Sequence, residues 1–179
     1  MEIRICKPVH LNKDHLDQII ELIIIGGQIK REKNEIKNII LMADLVALKE
    51  HDGIVISTAT LKNQCLSYRD RVFNSAGVRF SERYLKELGF IITNPDFENQ
   101  GHCQHVLSEF FIRISMNSIY ATTRKPAMVH LLRKLGFIES GAIYNHDLRL
   151  LIFDSLTEAS TCNILMNGSF RIQKGQLQT

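Results

Sequence analysis

The chain has 179 residues, 45% of them apolar and 23% charged, which suits a folded domain with a real core and excludes a disordered one. A formal net charge of +3 is too small to imply nucleic-acid binding unless the basic residues gather on one face. The opening "MEIRICKPVH" mixes charges among its apolar residues, and "IIELIIIGG" is broken by Glu21 and too short to cross a bilayer. A cytoplasmic protein with no membrane partner is therefore expected. Cys6, Cys65, Cys103 and Cys162 lie far apart with no Cys-x-x-Cys pair, so reduced thiols are expected rather than a disulfide framework.

In chain order, "EIRIC" alternates like a short strand. From about Leu11 the period becomes helical, with Leu16, Ile19, Ile20 and Ile23 at three- and four-residue spacing, until Gly26-Gly27 interrupts it. A second helical run carries Ile36, Ile39 and Ile40 on one face and ends near Ala43. "LVALKE" and "IVISTATL" flank "HDG", a strong hairpin signal. "SYRDRVFNSAG" predicts a short helix. "YLKELGFIIT" predicts a strand whose apolar run suits burial on both faces.

The loop "NPDFENQGHCQHVL" follows, leading into a helix over about 101–116. "SIYATT" predicts a strand, and "PAMVHLLRKLG" a helix started by Pro126 and closed by Gly136. "FIESGAIY" and "LRLLIFD" read as two final strands. Residues 1–155 are expected to form a single domain, with 156–179 a polar tail that could order on it. The order predicts an α/β (α+β) fold: a mixed, mostly antiparallel sheet with a central parallel strand–helix–strand unit and helices on both faces. The crossover helix then starts at the carboxyl edge of a strand, where open α/β sheets commonly bind ligands.

This order, with "ITNPDFENQGHCQHVL" and then "VHLLRKLGFIESG", resembles the GNAT N-acetyltransferase superfamily over about residues 2–154. In that family a strand offering backbone groups to pantetheine runs into a loop of the form Arg/Gln-x-x-Gly-x-Gly/Ala, whose amides hold the pyrophosphate of acetyl-coenzyme A. The later Leu-Gly-Phe is matched by Leu135-Gly136-Phe137. The resemblance implies an acetyl-CoA-dependent N-acetyltransferase, with acetyl-CoA as co-substrate and a small-molecule or protein amine as acceptor. It places Ile91, Ile92 and Thr93 along the pantetheine arm, and Glu98, Asn99, Gly101, His102, Cys103 and Arg124 around the phosphates.

The loop departs from the family pattern. Glu98 stands where Arg or Gln is usual, Asn99 where glycine is common, and Cys103 at the last Gly/Ala. Asn enters left-handed backbone readily, and cysteine is small. Glu98 is the serious departure: a carboxylate about 4 Å from a phosphate costs roughly 4 kcal/mol per charge pair at an effective dielectric near 20. Amides donating to an anion contribute about 1.5–3 kcal/mol each, enough to offset it. Arg124 and Lys125 would add positive charge.

Amine acetylation also needs a base and a proton for the leaving thiolate. Glu87 lies on the strand before the loop, where many relatives carry a carboxylate, and is the candidate base. Relatives often place a tyrosine acid just before Gly-Phe, but Leu131 and Leu132 occupy that register here. Tyr144 is the candidate acid, with Tyr120 a second donor and aromatic packing the alternative for both. In the cluster His102-Cys103-x-His105 neighbouring helical positions point in different directions, and no second ligand pair sits at a zinc-site spacing, so no metal is expected.

Two other functions stay open. The departures suit a catalytically reduced binding or regulatory module on the same fold. Arg69, Arg71 and Arg79 suit either a solvated helix face or contact with nucleic acid, as in a tRNA-modifying protein. The apolar last strands could extend a sheet across a homodimer.

Overall fold

The computed structural model describes residues 2–27, 31–63 and 65–155. Seven strands form one sheet: β1 (Glu2–Cys6), β2 (Leu45–His51), β3 (Ile54–Asn63), β4 (Lys86–Thr93), β5 (Ile119–Thr123), β6 (Ile138–Glu139) and β7 (Arg149–Phe153). Their spatial order is β1-β2-β3-β4-β5-β7-β6, antiparallel throughout except for the parallel pair β4–β5. Five helices cover it: α1 (Lys13–Ile25), α2 (Lys33–Leu41), α3 (Leu66–Ala76), α4 (His102–Ile114) and α5 (Pro126–Lys134). The mixed sheet and the helix-bridged parallel pair are as the periodicity predicts.

Alternation along the strands sorts the core into three clusters. On one face Val46, Leu48 and Val55 meet Ile19, Ile23, Ile36 and Ile40 of α1 and α2. On the same face, farther along the sheet, Tyr120 and Leu150 pack against Val72 and Phe73 of α3. The opposite face presents Ala47, Ala59, Leu61 and Leu151 to Val106 and Phe110 of α4 and Leu132 of α5. One face thus carries two separate helical layers, with α3 set apart from α1 and α2, and the gap between them falls over β4 and β5.

The expected strand "FIESGAIY" is a correction: only Ile138–Glu139 pair with β7, followed by an isolated bridge between Tyr144 and Leu148. The segment leaves the sheet because it is fastened to the end of α3, where the Ala142 amide donates to the Ala76 carbonyl at 2.8 Å. Gly141 makes this approach possible: a Cβ there would sit 2.0 Å from the Ala76 oxygen, and its φ is +75°. The basic grouping also resolves differently from a solvated face. Arg69 is buried and pairs with Asp70 at 2.8 Å, whereas Arg71 and Arg79 are exposed. The tail expected at 156–179 lies outside the described residues.

Candidate active site

The sheet opens at its middle. β4 and β5 pair only through Lys86↔Ile119 and Glu87↔Tyr120, and from Leu88 onward β4 has no partner on that edge among the described residues. The cause is local. The β3–β4 register shifts between Thr58 and Thr60, and Phe90 takes φ +49°. Such a bulge bends its strand and increases its twist. A non-glycine residue in this region is strained by about 1–2 kcal/mol, and the Phe90 ring is held there by burial with the α1–α2 layer.

A cleft of about 1140 Å³ runs through the fork. One end lies between α2 and α3. The other is bounded by the loop before α4 and the start of α5.

Glu87 lines the cleft at the last β4–β5 pair before the fork. It is buried, and its carboxylate accepts from Lys62 Nζ at 2.7 Å and from the Tyr120 hydroxyl at a long 3.5 Å. Lys62 stands directly opposite Glu87 in the β3–β4 register. Its ammonium also rests 4.7 Å from the centre of the Phe90 ring, a cation–π contact. Gly89 leaves this path open, because a Cβ there would fall 2.6 Å from Lys62 Cε. Burial, then the Glu87 charge, pushes the Tyr120 phenol well above the ordinary range, so it stays a proton donor.

Tyr68, from α3, reaches across to within 3.4 Å of the Thr122 hydroxyl on β5. Burial raises its phenol too, with Glu87 the next cause. Tyr144 lies behind the cleft lining, close enough for Tyr68, Arg124 and Glu87 to act on its phenol. Its side chain packs with the α3 cluster, its hydroxyl is buried without a partner among the described residues, and it is absent from the cleft lining. Burial first, then Tyr68, pushes that phenol far upward.

At the other end, Ile91, Ile92 and Thr93 line the cleft with their β5-side edge unpaired. A single turn, Pro95–Phe97, follows, with Asn94 Oδ1 accepting from the Asp96 amide at 3.0 Å. Asp96 is thus part of an Asx-type turn. Asn99 and Gly101 both adopt left-handed backbone, φ +59° and +77°. The first helical bond of α4 is His105 N to Gly101 O, and the amides from Asn99 to Gln104 have no acceptor among the described residues. Asn99, Gly101, His102, Cys103 and Gln104 line the cleft, and free amides of this kind are the donors by which helix N-termini bind anions. Glu98 lies in the same loop with an exposed side chain.

His102 contributes its amide rather than its ring. The ring is buried and turned onto Lys49, whose Nζ lies 3.0 Å from His102 Nδ1 and 3.2 Å from His105 Nδ1. Both nitrogens therefore act as acceptors. Burial first, then the Lys49 charge, lowers the His102 pKa. Cys103 packs its thiol against Thr93, and burial pushes it up to about 11, so it is an inert filler between β4 and α4. Arg124 lines the same end and is tied to the carbonyls of Asn145 and His146, each at 3.3 Å.

Glu87 and the loop residues expected from the sequence line one cleft, and with them stand Lys62, Tyr68 and Arg71, which the sequence did not place there. Only the β3–β4 register could have flagged Lys62.

Solved structures share this architecture. An acyl-CoA N-acyltransferase from Pseudomonas aeruginosa superposes with a TM-score of 0.64 at 11% identity, over 86% of this chain and 99% of its own. A GNAT-family acetyltransferase from Streptococcus agalactiae gives 0.60 at 19% identity, over 84% and 94%. Arabidopsis thaliana NAA60, solved in complex with acetyl-CoA, gives 0.58 at 12%, over 85% and 98%. No protein-family model and no curated protein matches the sequence. The chain has the fold of GNAT N-acetyltransferases. No helix among the described residues is long and apolar enough to cross a membrane.

Proposed function

We propose that the chain is an acyl-CoA-dependent N-acyltransferase that uses acetyl-CoA to acetylate an amine. The observation that carries this is the cleft through the β4–β5 fork, with a buried carboxylate at its floor and unpaired amides at one end. In this reading the freed edge of Ile91–Thr93 receives the pantetheine arm. The amides from Asn99 to Cys103 hold the pyrophosphate, with Arg124 beside them and Glu98 turned to solvent. A thioester held at the fork would lie near Glu87, which takes the proton of the attacking amine directly or through a water. Lys62 and Tyr120 orient that carboxylate.

Isothermal titration with acetyl-CoA and CoA is the first test, followed by thiol release in the presence of amines. Absence of binding at millimolar ligand would refute the proposal. A second reading, a binding module that keeps CoA and has lost turnover, is favoured by Lys62 occupying the Glu87 carboxylate and by the absence of a tyrosine hydroxyl in the α5 register. CoA binding without acetylation of any amine would select it.

A further inference from the structure

In the acyltransferase reading the acceptor amine enters the end of the cleft between α2 and α3. Arg31, Lys62 and Arg71 bring cations to it, and Glu35 and Glu87 bring carboxylates. Lys62 and Glu87 satisfy each other at 2.7 Å. Glu35 lies 3.9 Å from Arg31, at the limit of an ion pair. Arg71 has no carboxylate beside it among the described residues. Its guanidinium instead lies 5.5 Å from the centre of the Tyr68 ring. A guanidinium resting on an aromatic face is fixed in plane while its donors stay free, a geometry matched to carboxylate or phosphate oxygens.

We propose that the acceptor is an amine that also carries an anionic group, a carboxylate or a phosphate, and that Arg71 on Tyr68 receives that group at the cleft mouth while the amine reaches toward Glu87. This rests on the acyltransferase reading above and names its substrate class. Tyr68 joins the two points physically: its ring carries Arg71, and its hydroxyl reaches Thr122 on β5, the strand that pairs with Glu87's position.

The start of α3 favours negative charge at the same place. The amides of Leu66, Ser67 and Tyr68 precede the first helical bond, Arg69 N to Cys65 O. The exposed Cys65 thiol lies 3.3 Å from the Ser67 hydroxyl, and its pKa is lowered by that hydroxyl first and by the Tyr68 amide next. The Ser67 hydroxyl and the first amides of α3 thus add hydrogen-bond donors beside Arg71 at this mouth.

The test uses the full chain with acetyl-CoA and three amines at equal concentration: glutamate, phosphoethanolamine and spermidine. Thiol release should favour one of the two anionic amines over spermidine by about tenfold or more in kcat/KM, and the pair separates carboxylate from phosphate. Arg71→Ala should raise KM for the favoured amine about tenfold with kcat within about twofold. Arg71→Lys should recover part of the loss, and Arg71→Glu should move preference toward spermidine. Arg71 is exposed, so a thermal midpoint close to that of the natural chain is the control for folding. Preference of the natural chain for spermidine overturns the inference and leaves the acyltransferase standing. So does an unchanged KM in Arg71→Ala, or turnover of none of the three by a chain that binds acetyl-CoA. Failure to bind acetyl-CoA removes the acyltransferase reading and this inference with it.

Discussion

The two ends of the cleft are made of different materials. The end near α4 is built from backbone: the unpaired edge of β4, two left-handed residues and the first amides of a helix. The end near α3 is built from side chains: the Lys62–Glu87 pair, Tyr68 spanning the fork, and Arg71 on its ring. Backbone donors tolerate almost any side chain provided the path of the chain is kept. A loop carrying Glu98, Asn99 and Cys103 therefore still leaves the amides from Asn99 to Gln104 without acceptors among the described residues. Side-chain recognition has no such tolerance, so the acceptor end is where this protein would differ from others sharing its fold.

The largest effect expected from this contrast is at the floor. Glu87→Gln should lower kcat by about 10²–10⁴-fold, the usual range for a general base, while leaving CoA affinity in titration within about twofold. Equal losses in both would show that the two ends are not separable.

Next comes Gly101→Val. Left-handed backbone costs a β-branched residue upwards of about 1–2 kcal/mol, which should shift the loop and weaken CoA binding by about tenfold or more. The acceptor KM, measured at saturating acetyl-CoA, should hold. Nothing lies within 4 Å of a Cβ built at this position, so the loss would come from backbone conformation rather than collision.

Glu98→Gln should strengthen CoA binding by only a few-fold, because the exposed carboxylate is screened. The gain should shrink as salt is raised. A gain of a hundredfold would mean that the side chain points at the phosphates rather than at solvent.

The smallest effect concerns pH. His102 has a lowered pKa in the folded chain, so between that value and the unfolded value near 6.5 the unfolded state binds more protons. Stability should therefore fall as pH drops below about 6.5 and level off once both states are protonated. His102→Gln should flatten that slope in denaturant titrations at pH 7 and pH 5, and an unchanged slope would exclude His102 as its source.

Much of the fold was legible because its signals are local. Three- and four-residue spacing marks α1 and α2, Asp52-Gly53 marks the hairpin, and Pro126 and Gly136 bracket α5. Glu87 and the α4 loop were legible by place in the element order. Lys62 was not, because its partner is 25 residues away with a helix between them, and only the β3–β4 register joins the two. Arg71 was hidden for a related reason. Its sequence neighbour Arg69 is buried beside Asp70, so the run of arginines reads as one face while the structure splits it. The shortened β6 escaped notice because its cause is a contact with the end of α3, distant in sequence.

That contact also bears on how such proteins could be re-engineered. The helix that carries Tyr68 and Arg71, with its caps, is one contiguous stretch, Cys65 to Gly77, and on the proposed reading it looks like a cassette to be exchanged for another specificity. Its trailing end is latched to the loop after β6 through Gly141 and Ala142. A graft of the helix alone would leave the latch without its receiver, so a working chimera needs both pieces moved together.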